Sequence, residues 1–480
     1  MEKLIFEKSK TGRKGYTLPR KQFDYLISEH IPEKFLRKSE LNLPEISEGD
    51  ISRHYTKLAH LNYSIEEGLY PLGSCTMKYN PKVNEKTAAI SGFTELHPCI
   101  NDDNAQGALE LMYNLGNCLK EISGLQGVSL QPSAGSNGEF TGILMFRAYH
   151  LANGDTKRTK ILIPDSAHGT NPASAVISGF TTVNVKSNEK GRIDLEDLKS
   201  KCGDDIAGFM ITNPNTLGLF ETEIVAIEKL IHGCGGLMYM DGANLNALLG
   251  ITRPGDMKFD CVHINLHKTF STPHGGGGPG AGPVCVSEKL VPFLPKPQIV
   301  KENGKFKLNF DLPQSIGKIH SFYGNFGILV RALTYIYMHG AEGIREISEN
   351  AIINANYILS KLKDDFEIPH NEYCMHEFVL SCDKQKEIGF NAKDIAKRLL
   401  DYGYHAPTIY FPLIVHEAML IEPTESESME SLEGFADTML KINQEGKENP
   451  ELLTNAPYNA PVRRLDDALA ARNLNVAWKK

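Results

Sequence analysis

Two short apolar segments between residues 237 and 268 each lead to a charged side chain. Residues 237–240 are all apolar and precede Asp241, which is followed by Gly242, Ala243 and Asn244. This pattern predicts a buried strand that opens into a loop. Residues 262–267 alternate apolar and polar side chains and run directly into Lys268, which predicts a second strand with a lysine at its end. We therefore expect Asp241 and Lys268 at neighbouring strand ends.

A run of glycines follows Lys268 after six residues, Gly275 to Gly278. A lysine beside glycines suggests a phosphate-binding loop for nucleotides, but in that motif the glycines precede the Lys-Ser/Thr pair. The reversed order here argues against a nucleotide site. The glycines themselves fit either a mobile lid or a tight packing turn.

An acid and a lysine at neighbouring strand ends suit pyridoxal 5′-phosphate. Lys268 would form the imine with the aldehyde, and Asp241 would keep the pyridine nitrogen protonated so that the ring accepts electrons. Taken singly, each residue has an ordinary explanation. A lone lysine in a loop is usually a solvated surface residue, and an aspartate before glycine usually forms a turn.

Composition excludes several classes of function. The chain has 480 residues, 41% of them hydrophobic, and a net charge of −8, which predicts two or three globular domains with no basic surface for nucleic acid or membranes. Its nine cysteines are scattered without a C-x-x-C pair, so neither a disulfide framework nor a metal site such as zinc is indicated. No segment reaches membrane-spanning length or resembles a leader. We expect a cytoplasmic protein whose partners are small molecules and proteins.

The remaining polar loops follow apolar segments in the same way. Residues 133–139 are small and polar and open a predicted helix, whose N-terminus suits a phosphate. His168 follows the predicted strand 160–164, and Asn213 follows the predicted strand 209–212. Helical segments lie between these strands, so the alternation predicts a mainly parallel sheet with the ligand at the strand C-termini.

This ordered set resembles fold-type I pyridoxal phosphate enzymes, and specifically the P-protein family of the glycine cleavage system. The resemblance extends over nearly the whole chain. In its start and length the chain resembles the catalytic C-terminal half of the fused enzyme, which is called subunit 2 where the two halves are separate chains. The segments that carry it are 73–78, 133–136, 166–172, 213–216, 241–244, 265–270 with the glycine run, and 461–466.

The resemblance implies a role for each site residue. Lys268 would be the lysine that binds the cofactor covalently, Asp241 the partner of the ring nitrogen, and His168 the residue stacked on the ring. The phosphate would be held by the residues of the first loop, Ser133, Gly135 and Ser136. Either Asn213 or Asn244 would reach the ring hydroxyl.

The resemblance also implies a reaction and partners. Glycine would lose its carboxylate as CO₂, and the remaining aminomethyl group would pass to the lipoyl arm of H-protein. Two copies of the chain would assemble with two of a companion subunit 1 into a heterotetramer. Two other hypotheses stay open: another pyridoxal phosphate enzyme, such as an aminotransferase or amino-acid decarboxylase, and a non-enzymatic scaffold. A scaffold has no need of Lys268 or Asp241.

The chain divides into four predicted parts. Residues 1–104 are broken by prolines and hold only short helices, for example around residues 51–62. Residues 105–320 form the large α/β domain. Residues 321–443, with a long helix through residue 362, form a smaller C-terminal α+β domain, and residues 444–480 form an extended tail.

Overall fold

The computed structural model describes residues 2–20, 22–39, 41–275, 280–370 and 372–478. The chain forms two compact units, one of Met1–Ser64 with Tyr458–Lys480 and one of Ile65–Pro457. The four-part division predicted from the sequence is finer, and its boundaries after residues 104 and 320 stay predictions. Within the described residues, none of the helices is both long enough and apolar enough to cross a membrane.

The helices are listed here in chain order. They are α1 (Ile27–His30), α2 (Glu48–Ala59), α3 (Lys82–Ala88), α4 (Ser91–Thr94), α5 (Gln106–Ser123), α6 (Gly135–Ala152), α7 (Thr170–Ile177), α8 (Leu195–Lys201), α9 (Ile224–Gly233), α10 (Leu266–Thr269), α11 (Phe326–Leu362), α12 (Asp383–Glu387), α13 (Ala392–Asp401), α14 (Met429–Glu448), α15 (Pro450–Thr454) and α16 (Asp467–Arg472). Short 3₁₀ helices occupy Ile5–Lys8, Glu33–Phe35, Asp102–Asn104, Leu245–Ala247 and Glu288–Phe293.

The smaller unit joins the two ends of the chain. Its main helix, α2, confirms the helix predicted around residues 51–62. It begins earlier than predicted, because the Ser47 side chain accepts a hydrogen bond from the backbone N–H of Asp50 and caps the helix. The rings of Phe6 and Trp478 stack with centroids 4.6 Å apart. This contact ties the N-terminal and C-terminal segments together.

The larger unit is built on a seven-stranded sheet in the order β1-β7-β6-β5-β4-β2-β3. Its strands are β1 (Gly127–Ser129), β2 (Lys160–Pro164), β3 (Thr181–Val185), β4 (Ile206–Thr212), β5 (Leu237–Gly242), β6 (Cys261–Ile264) and β7 (Val284–Val286). Strands β3, β2, β4, β5 and β6 pair in parallel, and β7 runs antiparallel to both of its neighbours. The predicted mainly parallel sheet is therefore confirmed.

Both faces of this sheet are covered. Every residue of the interior strand β4 is buried, as expected for a parallel strand between two helical layers. One core cluster includes side chains of α5, α9 and α11, and the other includes side chains of α6 and α7. Helix α11 bends at Gly340, whose φ of 63° lies outside the helical region.

A second sheet lies in the C-terminal part of the same unit. Strands β10 (Phe378–Ser381), β12 (Ala418–Ile421) and β11 (Thr408–Ile409) pair antiparallel in that order. Strands β8 (Gln298–Glu302) and β9 (Lys305–Asn309) form a separate hairpin.

The prediction of an extended tail from residue 444 is wrong for the first residues of that tail, since α14 continues to Glu448 and α15 follows. Buried residues of α14, such as Met439 and Ile442, pack into the core of the small sheet and keep this segment helical.

Two strand predictions also need correction. Strand β5 extends through Gly242, so Asp241 lies on the strand itself and pairs with Thr212 on β4. Strand β6 ends at Ile264, and Lys268 lies in the short helix α10. The cause is local: the Asn265 carbonyl accepts the N–H groups of Lys268 and Thr269, both at 3.0 Å, and this turns the chain into a helix.

Helix α6 packs against the sheet through Gly142. A Cβ at this position would overlap the ring of Tyr239 on β5. We expect Gly142→Ala to destabilise the protein by about 1–3 kcal/mol, as overpacking typically does. Gly107→Ala in α5 is the matched control, because nothing lies within 4 Å of its Cβ. Urea unfolding would measure both, and equal midpoints for the two variants would contradict this packing.

Candidate active site

The polar loops predicted to meet do meet at the carboxyl edge of the parallel strands. The Thr216 hydroxyl, in the loop after β4, donates to the Ser166 carbonyl at 2.7 Å. The Asn244 side chain, after β5, donates to the Pro214 carbonyl at 2.9 Å. Each of these hydrogen bonds joins loops that follow different strands. The loops therefore form one site, as expected for a parallel sheet.

Asp241 is the buried anion of this site. Its carboxylate accepts the Asn171 side-chain amide at 3.0 Å and the Ala243 N–H at 2.9 Å, and His263 Nε2 lies 3.3 Å away. Burial alone would raise the pKa of Asp241, but His263, Asn171, the Ala243 N–H and Lys268 together outweigh burial and lower it. The carboxylate therefore stays ionised and available to a cationic group.

A hydroxyl behind His263 supports this anion. The Tyr239 hydroxyl and His263 Nδ1 are 2.7 Å apart, and both side chains are fully or almost fully buried. This contact orients the ring so that the other nitrogen, Nε2, faces Asp241. His263 was not predicted as a site residue, although the alternation of residues 262–267 places it on the polar side of the predicted strand.

Lys268 is held by a loop from a distant part of the sequence. Its Nζ donates to the Ser74 carbonyl at 2.8 Å. Two histidines near it are uncharged, because burial and the neighbouring positive charges lower the pKa of His267 to about 3 and that of His274 to about 4. Neither imidazole therefore adds a positive charge to that of a neighbouring lysine at neutral pH.

Helix α6 begins at Gly135, against the loop that leads to Lys268. A Cβ on Gly135 would lie 2.7 Å from the Asn265 side-chain amide, so only glycine allows this approach. Ser136 lies in the first turn of α6, and the Ser133 N–H donates to Asn137 Oδ1 at 3.0 Å. An 18-residue helix directs its free N–H groups and positive dipole end toward this point.

His168 lies in the loop after β2 and is exposed. Its Nδ1 and the Thr170 hydroxyl are 2.8 Å apart, and that hydroxyl donates to Glu139 at 2.8 Å. The imidazole also approaches the Phe411 ring edge-on, with centroids 5.8 Å apart. Its stacking on a cofactor ring stays a prediction, as do the other roles that the family resemblance implies.

Buried polar atoms without a partner collect in these loops. Among the described residues, Asn213 Nδ2 and Asn244 Oδ1 are both buried and make no hydrogen bond. The other amide atoms of these two residues are in use, since Asn213 Oδ1 accepts the Glu221 N–H and Asn244 Nδ2 donates to Pro214. Buried amides seldom lack partners. These orphaned atoms fit a site built to receive a polar ligand.

Other residues of the site were not predicted. Asn171, Glu139, Glu377 and Glu422 are all buried near the strand ends. Glu422 shows the same sequence pattern as Asp241, because it too is an acid that directly follows four apolar residues. The predicted lid at Gly275–Gly278 lies outside the described residues except for Gly275, and it stays a prediction.

Lys78 joins the loop of residues 73–78 to helix α10. Its ammonium donates to Asn246 Oδ1 at 2.7 Å, to the Thr269 carbonyl at 3.0 Å and to Glu425 at 2.8 Å. The side chain is 1% exposed. Lys78 is therefore a buried structural cation, and it leaves Lys268 as the reactive candidate.

Comparison with protein families finds two matches. The model described as glycine cleavage system P-protein matches residues 7–301, and the model described as glycine dehydrogenase, C-terminal domain, matches residues 347–459. A protein of Chloroherpeton thalassium named probable glycine dehydrogenase (decarboxylating) subunit 2 is 60% identical, over 99% of this chain and 98% of that protein. One of the same name from Alkaliphilus oremlandii is 57% identical, over 100% and 98%.

Solved structures share the fold. The glycine decarboxylase (P-protein) of the glycine cleavage system, in inhibitor-bound form, superposes with a TM-score of 0.73 at 19% identity, over 87% of this chain and 94% of that one. Lactobacillus brevis glutamate decarboxylase superposes with a TM-score of 0.65 at 14% identity, over 85% and 95%. At these identities the likeness concerns the fold, and it confirms the predicted fold-type I architecture.

Removing Lys78 should be far more damaging than removing an exposed lysine of the same loop region. In Lys78→Met the buried Glu425 carboxylate loses its cation, so we expect a loss of about 3–5 kcal/mol, as for other broken buried pairs. Lys82→Met, which breaks the exposed pair with Glu66, should change stability by less than about 1 kcal/mol. Denaturant unfolding measures both, and a mild Lys78→Met would contradict the assignment.

Proposed function

We propose a function from one premise: this chain belongs to the glycine cleavage system P-protein family. It catalyses the decarboxylation of glycine, as subunit 2 of a glycine dehydrogenase (decarboxylating). The observation that carries this at the site is that Asp241, buried on β5, is kept ionised partly by the nearby charge of Lys268, which lies in α10 just after the adjacent strand β6. Orphaned amides of Asn213 and Asn244 lie in the adjoining loops.

The cofactor we propose is pyridoxal 5′-phosphate. When bound, it supplies an aldehyde for the substrate amine and a pyridine ring that accepts electrons. Lys268 would hold the aldehyde carbon, and Asp241 would hold the ring nitrogen in its protonated form. Ser133, Gly135 and Ser136 would hold the phosphate at the N-terminus of α6. His168 would lie on the ring.

The residues of the chain favour decarboxylation through desolvation and charge placement. Asn171, Asn213 and Asn244 are buried around Asp241, so a substrate carboxylate that enters there would lose its hydration, and this favours its loss as CO₂. With the cofactor bound, the ionised Asp241 would hold the proton on the ring nitrogen and so favour the ring's acceptance of negative charge. Asn213 or Asn244 would orient the ring through its hydroxyl.

We further propose that the aminomethyl group passes to the lipoyl arm of H-protein, and that the chain works in the cytoplasm. All nine cysteines are free, as expected in a reducing compartment. Release of a free amine, as from an ordinary amino-acid decarboxylase, is the competing outcome. A scaffold role is disfavoured because a scaffold has no need of a buried, ionised Asp241, which Asn171 and His263 support here.

Asp241→Asn tests both the reaction and the role of the anion. The assay is exchange of labelled bicarbonate into the carboxyl of glycine, with and without lipoylated H-protein and the companion subunit. We expect Asp241→Asn to retain the cofactor and lose about 10²–10³ in rate, as when a charge-stabilising group is removed. Asp165→Asn is the control: Asp165 follows β2, two strands from β5, where it accepts the Ser187 hydroxyl, and the exchange rate of this variant should stay near wild type. Near-normal exchange by Asp241→Asn would refute the role.

A further prediction concerns assembly with the companion subunit 1. Large apolar side chains of the N-terminal segment are exposed, among them Tyr16, Leu18, Phe23 and Phe35, each at more than 70%. Such surfaces mark interfaces, and obligate interfaces bury more than about 2,000 Å². We propose that two copies of the chain assemble with two of the companion.

Expression with and without the companion tests this assembly. We expect light scattering to report a two-plus-two complex when both are present, and we expect exchange activity only from that complex. The chain alone should associate nonspecifically, because its apolar residues stay exposed. Full exchange activity from the chain by itself would contradict the prediction.

A further inference from the structure

A second group of buried ionisable side chains lies beside the small sheet. Glu377 directly precedes β10 and Glu422 directly follows β12. Because Phe378 pairs with Ile421 in antiparallel register, the two carboxyls meet at the same end of the sheet. His376 joins them, with Nε2 3.7 Å from Glu422 and 3.9 Å from Glu377. All three side chains are 0% exposed.

These two carboxyls hold the loop of residues 73–78, which Lys268 contacts. The Ser74 N–H donates to Glu377 at 2.7 Å, and the Thr76 N–H donates to Glu422 at 2.9 Å. Ser74 and Thr76 have φ values of 65° and 50°, a strained region for residues other than glycine. The acids therefore fix the backbone whose carbonyl, at Ser74, accepts Lys268 Nζ.

The charges around the acids do not balance if both acids are ionised. The cations that act on Glu422 are Lys268 and Lys78, and Lys78 is already paired with Glu425. Burial and these two lysines lower the pKa of His376 to about 3, so that its ring is neutral. Burial also raises the pKa of the neighbouring Cys75. Two carboxylates would then face one free ammonium.

We propose that Glu377 and Glu422 share one proton and form a proton store for Lys268. The shared proton leaves the pair with one negative charge, which matches the single charge of Lys268. When a Lys268 N–H bond breaks, its electron pair stays on nitrogen as the nucleophile, and the proton adds to the ionised carboxyl. This proposal rests on the proposed function only in taking Lys268 as the reactive amine.

The electrostatics agree with this geometry. Burial raises the pKa of Glu422 to about 7, and burial and the charge of Glu422 raise that of Glu377 well above its ordinary value. Lys268 lowers both pKa values, so the acids bind a proton more tightly once Lys268 becomes neutral. The pair therefore takes up a proton when Lys268 releases one.

A divalent cation is the alternative occupant of this cluster, and the contacts disfavour it. Both oxygens of each carboxyl already accept hydrogen bonds, from Ser74 and Asn244 at Glu377 and from Thr76 at Glu422. A cation would also be repelled by Lys268 and Lys78. A proton needs no further ligands.

Infrared difference spectra of cofactor-free protein test the shared proton without any assay of activity. We expect a carboxylic-acid C=O band in the wild-type protein at neutral pH, because one of the two carboxyls then carries the shared proton. Glu377→Gln and Glu422→Gln should each remove the band, because the remaining carboxyl then ionises. Glu85→Gln, whose partner Arg331 lowers its pKa, should leave the band unchanged.

The pH dependence of Lys268 acetylation, followed by mass spectrometry, gives a second readout. Each single substitution keeps one negative charge beside Lys268, so the midpoint of labelling should stay in place. The double variant removes that charge and should move the midpoint to lower pH, because the ammonium loses its partner. The proposal is overturned if wild type has no acid band, if it contains a stoichiometric divalent cation, or if each single variant shifts the midpoint.

Discussion

Asp241 keeps its negative charge although it is buried, and the arrangement of the strand ends depends on this constraint. Its carboxylate is 4% exposed, and an unsupported charge at such a position would take up a proton. Asn171 from α7, the Ala243 N–H and His263 from β6 prevent this together. Each supporting group comes from a different element. The loops after β2, β5 and β6 must therefore meet at one point.

The role proposed for Lys268 sets the opposite requirement, because a reactive amine must not be locked into an ion pair. The structure meets it by giving the strong carboxylate partner to Lys78, through Glu425, and a backbone carbonyl to Lys268. The loop of residues 73–78 carries both contacts. Through Glu377 and Glu422 the small antiparallel sheet fixes the same loop. The small sheet thus takes part in placing the amine.

Local patterns in the sequence predicted much of this site. The apolar segments before Asp241 and His168 specified strands, and small residues near Gly135 specified a helix start. Predictions failed where backbone hydrogen bonds or tertiary packing decide the local structure. Periodicity extended β6 to residue 267, but hydrogen bonds to the Asn265 carbonyl end the strand at Ile264 and form α10. Residues 444–454 were predicted to be extended from their polar composition, but packing of α14 makes them helical.

Other features were beyond local reasoning. Thr76 and Glu422 are 346 residues apart in sequence, and the pairing of Glu377 with Glu422 follows from the register of two strands that no local pattern specifies. The order of strands in the sheet places β6, and α10 with Lys268 after it, beside β5. No local pattern specifies this order either. Resemblance to a family predicted the roles of the site residues, whereas the contacts that support them required the structure.

The most direct test of the account is the identity of the lysine that binds the cofactor. The protein purified with pyridoxal 5′-phosphate should lose its visible absorbance on treatment with borohydride, and peptide mapping should place the reduced label on Lys268. Lys268→Arg should remain unlabelled, while Lys82→Met should be labelled like wild type. A label on Lys78 or on any other lysine would contradict the assignment of the whole site.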